Sequence, residues 1–490
     1  AVPAKETEKA QQQTKSPSSK PAPPTKNEEK SKAEKPDQKS TSGVTDPVGK
    51  TEKATVGKDR KAAVVKEEKK AEADSEDAIE KAEELPKPAN GYINPNTKNW
   101  KRDMTTADPK LFDKLSEKRD GKLYRVMLDP FRYPTARCND GTQGLFYYAP
   151  PTKAEGAPSK PDHYIVMLEG GGWCSDINGC KNRMRNQKMT SSKGDGSSRG
   201  MGGCMSTTDK RNPFLHAHKV YLRYCSSDGF SGNRDASDPI SGGLHFRGNV
   251  ITAAVIKELV RTFGLVSGDS LFLGGFSAGA RGAMFNMDYA PQYLPPNVRV
   301  VGLLDSPFWL DIQPFSLPKS CAGVLKMANA TGVVGEKCRS AFPKEEQWKC
   351  LLGQYRMHHL EHKYVIAAAQ YDGFQMGVNN GGMKNLWKNL DDKVKLEVEK
   401  KAYREAFAKQ TRDELRTLPL EAGSVFSTTC GNHVTSSGGG LWEIYIQNEN
   451  TTKAWNLQEL FGMARDDKFG VSVIADCPAG RECKGCWKKK

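Results

Sequence analysis

The first 91 residues contain no Phe, Trp, Tyr, Cys or Met. Lys, Glu, Ala, Pro, Ser and Thr fill them instead. A segment of that composition cannot bury enough apolar surface to offset the entropy of ordering it. It reads as a disordered tail at 1–91, with transient helix near "SEDAIEKAEEL". The chain also lacks any apolar run of about 18 residues, which excludes a membrane-spanning helix. It shows no initiating Met and no signal-like segment, and "AVPAKETEKA" suits a mature N-terminus left after cleavage.

The first aromatic residue is Tyr92. Residues 92–490 are long enough for one large α/β domain with insertions. Residues 1–90 hold 19 basic and 18 acidic side chains, which leaves 55 basic and 41 acidic on the rest. The positive excess therefore sits outside the tail. Such a surface suits an acidic polymer, and charge alone leaves both nucleic acid and acidic polysaccharide open, though no nucleic-acid partner is expected for the chain as a whole. A charge kept only for solubility is the alternative.

All 12 cysteines lie beyond the tail, an even number that permits six disulfides and fits an oxidising compartment. Cys477, Cys483 and Cys486 have knuckle-like spacing, but a fourth local zinc ligand is missing. Disulfides are preferred there, and no metal or cofactor is expected. Sequons at Asn329 and Asn450 permit glycosylation in a secreted chain.

Short apolar runs alternate with helical patterns. "HYIVMLEGGGW" and "HKVYLRYCSSDGFSG" read as strands entering polar loops. "FRGNVITAAVIKELVRTFG" has helical spacing, and "VRVVGLLDSPFWLD" and "KYVIAAAQYDGFQ" read as strands ending in Asp. The alternation predicts a mostly parallel sheet flanked by helices. A long polar helix is expected over about 391–418, as a surface or lid-like insertion. Ligands of such sheets gather at the carboxyl ends of the strands.

Two G-x-S-x-G matches occur, centred on Ser198 and Ser277. Only Ser277 follows a strand-like run, "SLFLGG", and precedes a helix-like one, as a nucleophile elbow requires. A serine nucleophile needs a base and an orienting acid. His358, His359, His362 and His433 follow Ser277. The first three precede a strand and read as a solvated helix face rather than a metal cluster. His433, in "STTCGNHVTSSGGG", is the candidate base. Asp305 and Asp372 are both candidate acids. Asp372 is preferred for its place in chain order, with Asp305 as a structural carboxylate near the site. The oxyanion donors expected are the N–H of Ala278 and those of the glycine loop in "LEGGGWC".

These residues resemble the pectin acetylesterase/Notum family of carboxylesterases. The motifs run in order: "CNDG" at 138–141, "LEGGGWC" at 168–174, "RYCSSDGFSG" at 223–232, "LHFRG" at 244–248, "GFSAGA" at 275–280, "YDGFQ" at 371–375 and "CGNHV" at 430–434. The likeness covers about 125–440 and is nearer the plant-type members. It implies an α/β-hydrolase-like fold, secretion, and a triad of Ser277, Asp372 and His433. It implies oxyanion donors at Gly171, Gly172 and Ala278. It implies an acyl pocket lined by Trp173 and by the loop holding Ser226, Ser227, Asp228 and Phe230. It implies disulfides Cys174–Cys180 and Cys138–Cys225. The tail and the charged insertion between Asp372 and His433 depart from the family. The expected substrate is an O-acetylated acidic polysaccharide. A fatty-acylated protein is the second reading, and a non-catalytic glycan-binding protein on the same fold is the third.

Overall fold

The β-branched and aromatic runs pair as strands. In chain order they are β1 (Lys122–Met127), β2 (Leu145–Ala149), β3 (His163–Leu168), β4 (Ser198–Gly200), β5 (His218–Leu222), β6 (Ser270–Phe276), β7 (Arg299–Asp305), β8 (Tyr364–Ala367), β9 (Gly423–Ser427), β10 (Ile444–Gln447), β11 (Ala454–Asn456), β12 (Ser472–Ile474) and β13 (Trp487–Lys488). The computed structural model describes residue 115 and residues 120–152, 162–186, 189–312, 317–379, 393–447, 453–476 and 486–488. The tail at 1–91, the Asn450 sequon, Cys477 and Cys483 lie outside these residues.

Ten strands form one sheet in the order β12-β9-β8-β7-β6-β3-β5-β2-β1-β4. Pairing is parallel from β12 through β5 and antiparallel from β5 to β4. Strands β10, β11 and β13 make a small antiparallel sheet. The main helices are α1 (Ile177–Asn186), α2 (Gly248–Thr262), α3 (Ala278–Asn286), α4 (Leu317–Ala328), α5 (Lys393–Arg416) and α6 (Leu457–Arg465).

Period-two alternation sends the strand side chains to two cores. Tyr164, Val166 and Leu168 of β3 meet Ile251, Val255 and Leu259 of α2 on one face. Ile165 and Met167 meet Leu460, Phe461 and Ala464 of α6 on the other. Burial on both faces explains why the strands read as unbroken apolar runs. The chain leaves β3 for β5 on one side and returns to β6 on the other. That reversal opens a crevice at the carboxyl ends of β3 and β6.

The expected insertion helix is α5; residues 391–392 lie outside the described set. It is less of a surface feature than its composition suggests. Phe407, Thr411 and Leu415, spaced four apart, are buried on one stripe. Its side chains also bond the segment around Asp372: Arg412 Nη1 donates to Gln370 Oε1 (2.9 Å), and Tyr371 Oη donates to Glu405 Oε2 (2.6 Å).

Cys138–Cys225, Cys174–Cys180, Cys338–Cys350 and Cys430–Cys486 are disulfides. The first two are the pairs implied by the resemblance. Cys204 and Cys321 are free and buried, so the six disulfides that the cysteine count permits are not all formed. The bond from Cys486 to Cys430 also takes Cys486 away from any zinc knuckle. No helix among the described residues is long and apolar enough to cross a membrane.

Candidate active site

Ser277 stands between β6 and α3 with φ +57° and ψ −118°, a strained turn for a non-glycine residue. The two flanking glycines make that turn possible. A Cβ added to Gly275 would lie 2.3 Å from the Gly279 carbonyl carbon, and one added to Gly279 would lie 2.0 Å from the Leu168 oxygen. Both contacts are with backbone, which cannot swing aside. The Ser277 N–H donates to the Asp305 carbonyl at 2.8 Å.

His433 Nδ1 bonds Asp372 Oδ2 at 2.7 Å. Asp372 lies in the loop after β8 rather than at its end, and its Oδ1 accepts from the Gln375 N–H at 2.9 Å. One carboxylate thus caps the helical turn after it and orients the imidazole. With the proton held on Nδ1, Nε2 is left as the basic nitrogen. Nε2 has no hydrogen-bond partner, so the Ser277–His433 bond is open here. Such bonds are often long before substrate arrives. The Phe374 ring lies 4.7 Å from the imidazole, centroid to centroid.

Asp305 has a separate task. Its Oδ2 accepts from the N–H of Thr435 (2.8 Å), the N–H of Ser436 (2.7 Å) and the Ser436 hydroxyl (2.7 Å). Burial pushes its carboxyl above the usual range, while these donors pull it back. The Ser306 hydroxyl donates to the His433 carbonyl. The Asp305–Ser306 pair therefore ties the Ser277 turn to the His433 loop.

The glycine loop after β3 has φ +152° at Gly171 and +64° at Gly172. Its carbonyls are already engaged: Arg183 Nη2 donates to Gly171 O (2.5 Å), and Tyr224 Oη donates to Gly172 O (2.8 Å). The N–H groups of Gly171, Gly172 and Ala278 donate to nothing among the described residues. The Ala278 N–H opens α3, where the helix dipole also favours negative charge.

The loop expected to line a pocket is largely turned inward. Asp228 accepts from the Ser226 hydroxyl (2.6 Å) and from the N–H groups of Phe230 (3.0 Å), Gly232 (3.1 Å) and Gly248 (2.8 Å). Phe230 stacks on Tyr224 at 4.6 Å. The Ser227 hydroxyl accepts from Arg183 Nε at 2.9 Å. These four residues are buried and shape the loop, whereas Trp173 is only partly buried. Disulfides anchor the surroundings: Cys174 follows Trp173, Cys225 precedes Ser226, and Cys430 lies three residues before His433.

His358, His359 and His362 lie ahead of β8, the first two in a 3₁₀ turn rather than on one helix face. No group of metal-binding side chains occurs among the described residues. Sequence reasoning passed over Arg281, Ser306 and the bracing role of α5. Nothing contiguous in the sequence marks those contacts.

A mostly parallel sheet flanked by helices, with a strained serine at a strand-to-helix turn, is an α/β-hydrolase-like arrangement. The family model described as Pectinacetylesterase matches residues 117–480, and the chain belongs to that family. It is 33% identical over 260 residues to the palmitoleoyl-protein carboxylesterase NOTUM of Drosophila melanogaster, covering 50% of this chain and 37% of that protein. It is 28% identical over 410 residues to palmitoleoyl-protein carboxylesterase notum1a of Danio rerio, covering 79% and 76%. The chain thus spans little more than a third of the Drosophila relative's length. A solved structure of the Wnt deacylase Notum from Drosophila superposes with a TM-score of 0.62 at 24% identity, covering 74% of this chain and 99% of that one. That likeness is one of fold.

Proposed function

We propose that this protein is a secreted serine carboxylesterase that removes O-acyl groups, with O-acetyl on an acidic polysaccharide as its substrate. The observation that carries the reading is the 2.7 Å Asp372–His433 bond beside a strained Ser277. In this reading Ser277 Oγ attacks the ester carbonyl while His433 Nε2 takes its proton. The N–H groups of Ala278, Gly171 and Gly172 receive the oxyanion. The imidazolium, stabilised by Asp372, returns the proton to the leaving alkoxide. Water then repeats the sequence on the acyl-enzyme.

The family description supports an esterase of acetylated pectin. The four disulfides support passage through an oxidising compartment. The names of the Drosophila and Danio relatives favour a second reading, a deacylase of fatty-acylated protein. Hydrolysis of p-nitrophenyl acetate by wild type and Ser277→Ala tests the mechanism. The reading expects the variant to lose the activity; retained hydrolysis would refute it.

A further inference from the structure

Arg281 lies one helical turn beyond Ser277 on α3, and it is 1% exposed. Among the described residues no carboxylate pairs with it, and its Nε and Nη1 have no hydrogen-bond partner. The guanidinium is held between two indoles, its Cζ 3.7 Å from the Trp173 ring centre and 4.6 Å from that of Trp309. Cation–π contact offsets part of the cost of burying it. Its titratable neighbours, Cys321 and Tyr224, are both pushed up by burial, the thiol to about 12, so neither is an anion at neutral pH. Burial lowers the guanidinium to about 10, and it stays charged at neutral pH. Trp309 Nε1 also lacks an acceptor. The Nε and Nη1 of a cation and an indole N–H, all donors only, thus lie near the serine with nothing among the described residues to receive their hydrogens.

The position relative to the ester follows from the proton transfers. The leaving oxygen must face His433, which protonates it. The acyl chain then extends from the other side of the carbonyl carbon. Trp173 directly follows Gly172, Arg281 lies on the helix that Ala278 opens, and the two are in contact, so both border the proposed oxyanion donors. Two rings, Trp309 and Phe374, lie between Arg281 and His433. A long alkyl chain laid against Arg281 would supply no acceptor to an unpaired charge, which is costly. A short acyl group leaves room for water, or brings its own oxygen.

We propose that Arg281 is the specificity-determining residue of this site, admitting acetyl or other short, oxygen-bearing acyl groups and barring long alkyl chains. The proposal rests on the esterase reading above. The test measures kcat/KM on p-nitrophenyl acetate, butanoate and octanoate for wild type, Arg281→Met, Arg281→Lys and Ser277→Ala. Wild type is expected to favour acetate over octanoate by about tenfold or more. Arg281→Met should raise the octanoate-to-acetate ratio by about tenfold, and Arg281→Lys should keep the wild-type preference. An unchanged ratio in a folded Arg281→Met protein would overturn the proposal. So would a wild-type enzyme that takes octanoate as well as acetate, a result that needs no variant to fold. Hydrolysis that survives Ser277→Ala would sink the esterase reading itself. Ser277-dependent hydrolysis with an unmoved ratio would sink only the role of Arg281.

Discussion

The chain contains two G-x-S-x-G stretches, 196–200 and 275–279, and the fold treats them differently. At 275–279 an added Cβ would run into backbone at 2.3 Å on Gly275 and 2.0 Å on Gly279. At 196–200 the space is open: a Cβ on Gly196 would find only the Ser198 oxygen at 3.5 Å, and one on Gly200 would find nothing within 4 Å. Ser277 is strained at φ +57°, whereas Ser198 opens a short edge strand, β4, paired with β1. Residues 196–200, polar and glycine-rich, do not read as a strand in the sequence, yet Ser198–Gly200 form one. Its contribution is a brace: Arg199 Nη1 lies 3.1 Å from Glu169 Oε1, just before the glycine loop. The motif's glycines are sterically required around Ser277 and not around Ser198.

The comparison can be broken by experiment, starting with activity. Ser277→Ala should lower kcat/KM by roughly 10⁴-fold or more, while Ser198→Ala should stay near wild type on the same ester. Equal losses would erase the distinction. Stability should separate the glycines next. Gly279→Ala should cost about 3 kcal/mol or more in urea unfolding, and Gly200→Ala less than about 1 kcal/mol.

Asp305→Ala tests the tie between the two halves of the site. It leaves the N–H groups of Thr435 and Ser436 unpaired, which should cost about 2 kcal/mol or more. Activity should fall about tenfold or more through displacement of His433. A stability loss with full activity would show that the tie does not position the histidine. The smallest effect concerns the brace. Arg199→Ala should lower stability by about 1 kcal/mol or less, the pair being partly exposed, with kcat changed by less than about threefold.

Much of this was legible in the sequence because it is contiguous. The elbow shows as a strand run, two glycines and a helix run, and its glycines explain themselves sterically. Asp372 and His433 are 61 residues apart and were reached by chain order and resemblance, not by any local pattern. Asp305 reads from the sequence as a structural carboxylate near the site, but its partners, Thr435 and Ser436, lie 130 and 131 residues away. The burial of α5 was hidden by the charge around its three-residue stripe. Cysteine parity suggested complete pairing, yet Cys204 and Cys321 sit in separate cores and stay reduced. Arg281 carries no local mark in the sequence, since nothing contiguous reveals the two indoles on either side of it.

The central claim is that Ser277 alone of the two motif serines is activated, and that His433 activates it. Labelling the native protein with a fluorophosphonate, followed by peptide mapping, tests this most directly. The account predicts one adduct per chain, on the peptide holding Ser277, and its loss in His433→Ala. An adduct on Ser198, or one on Ser277 that persists without His433, would contradict it.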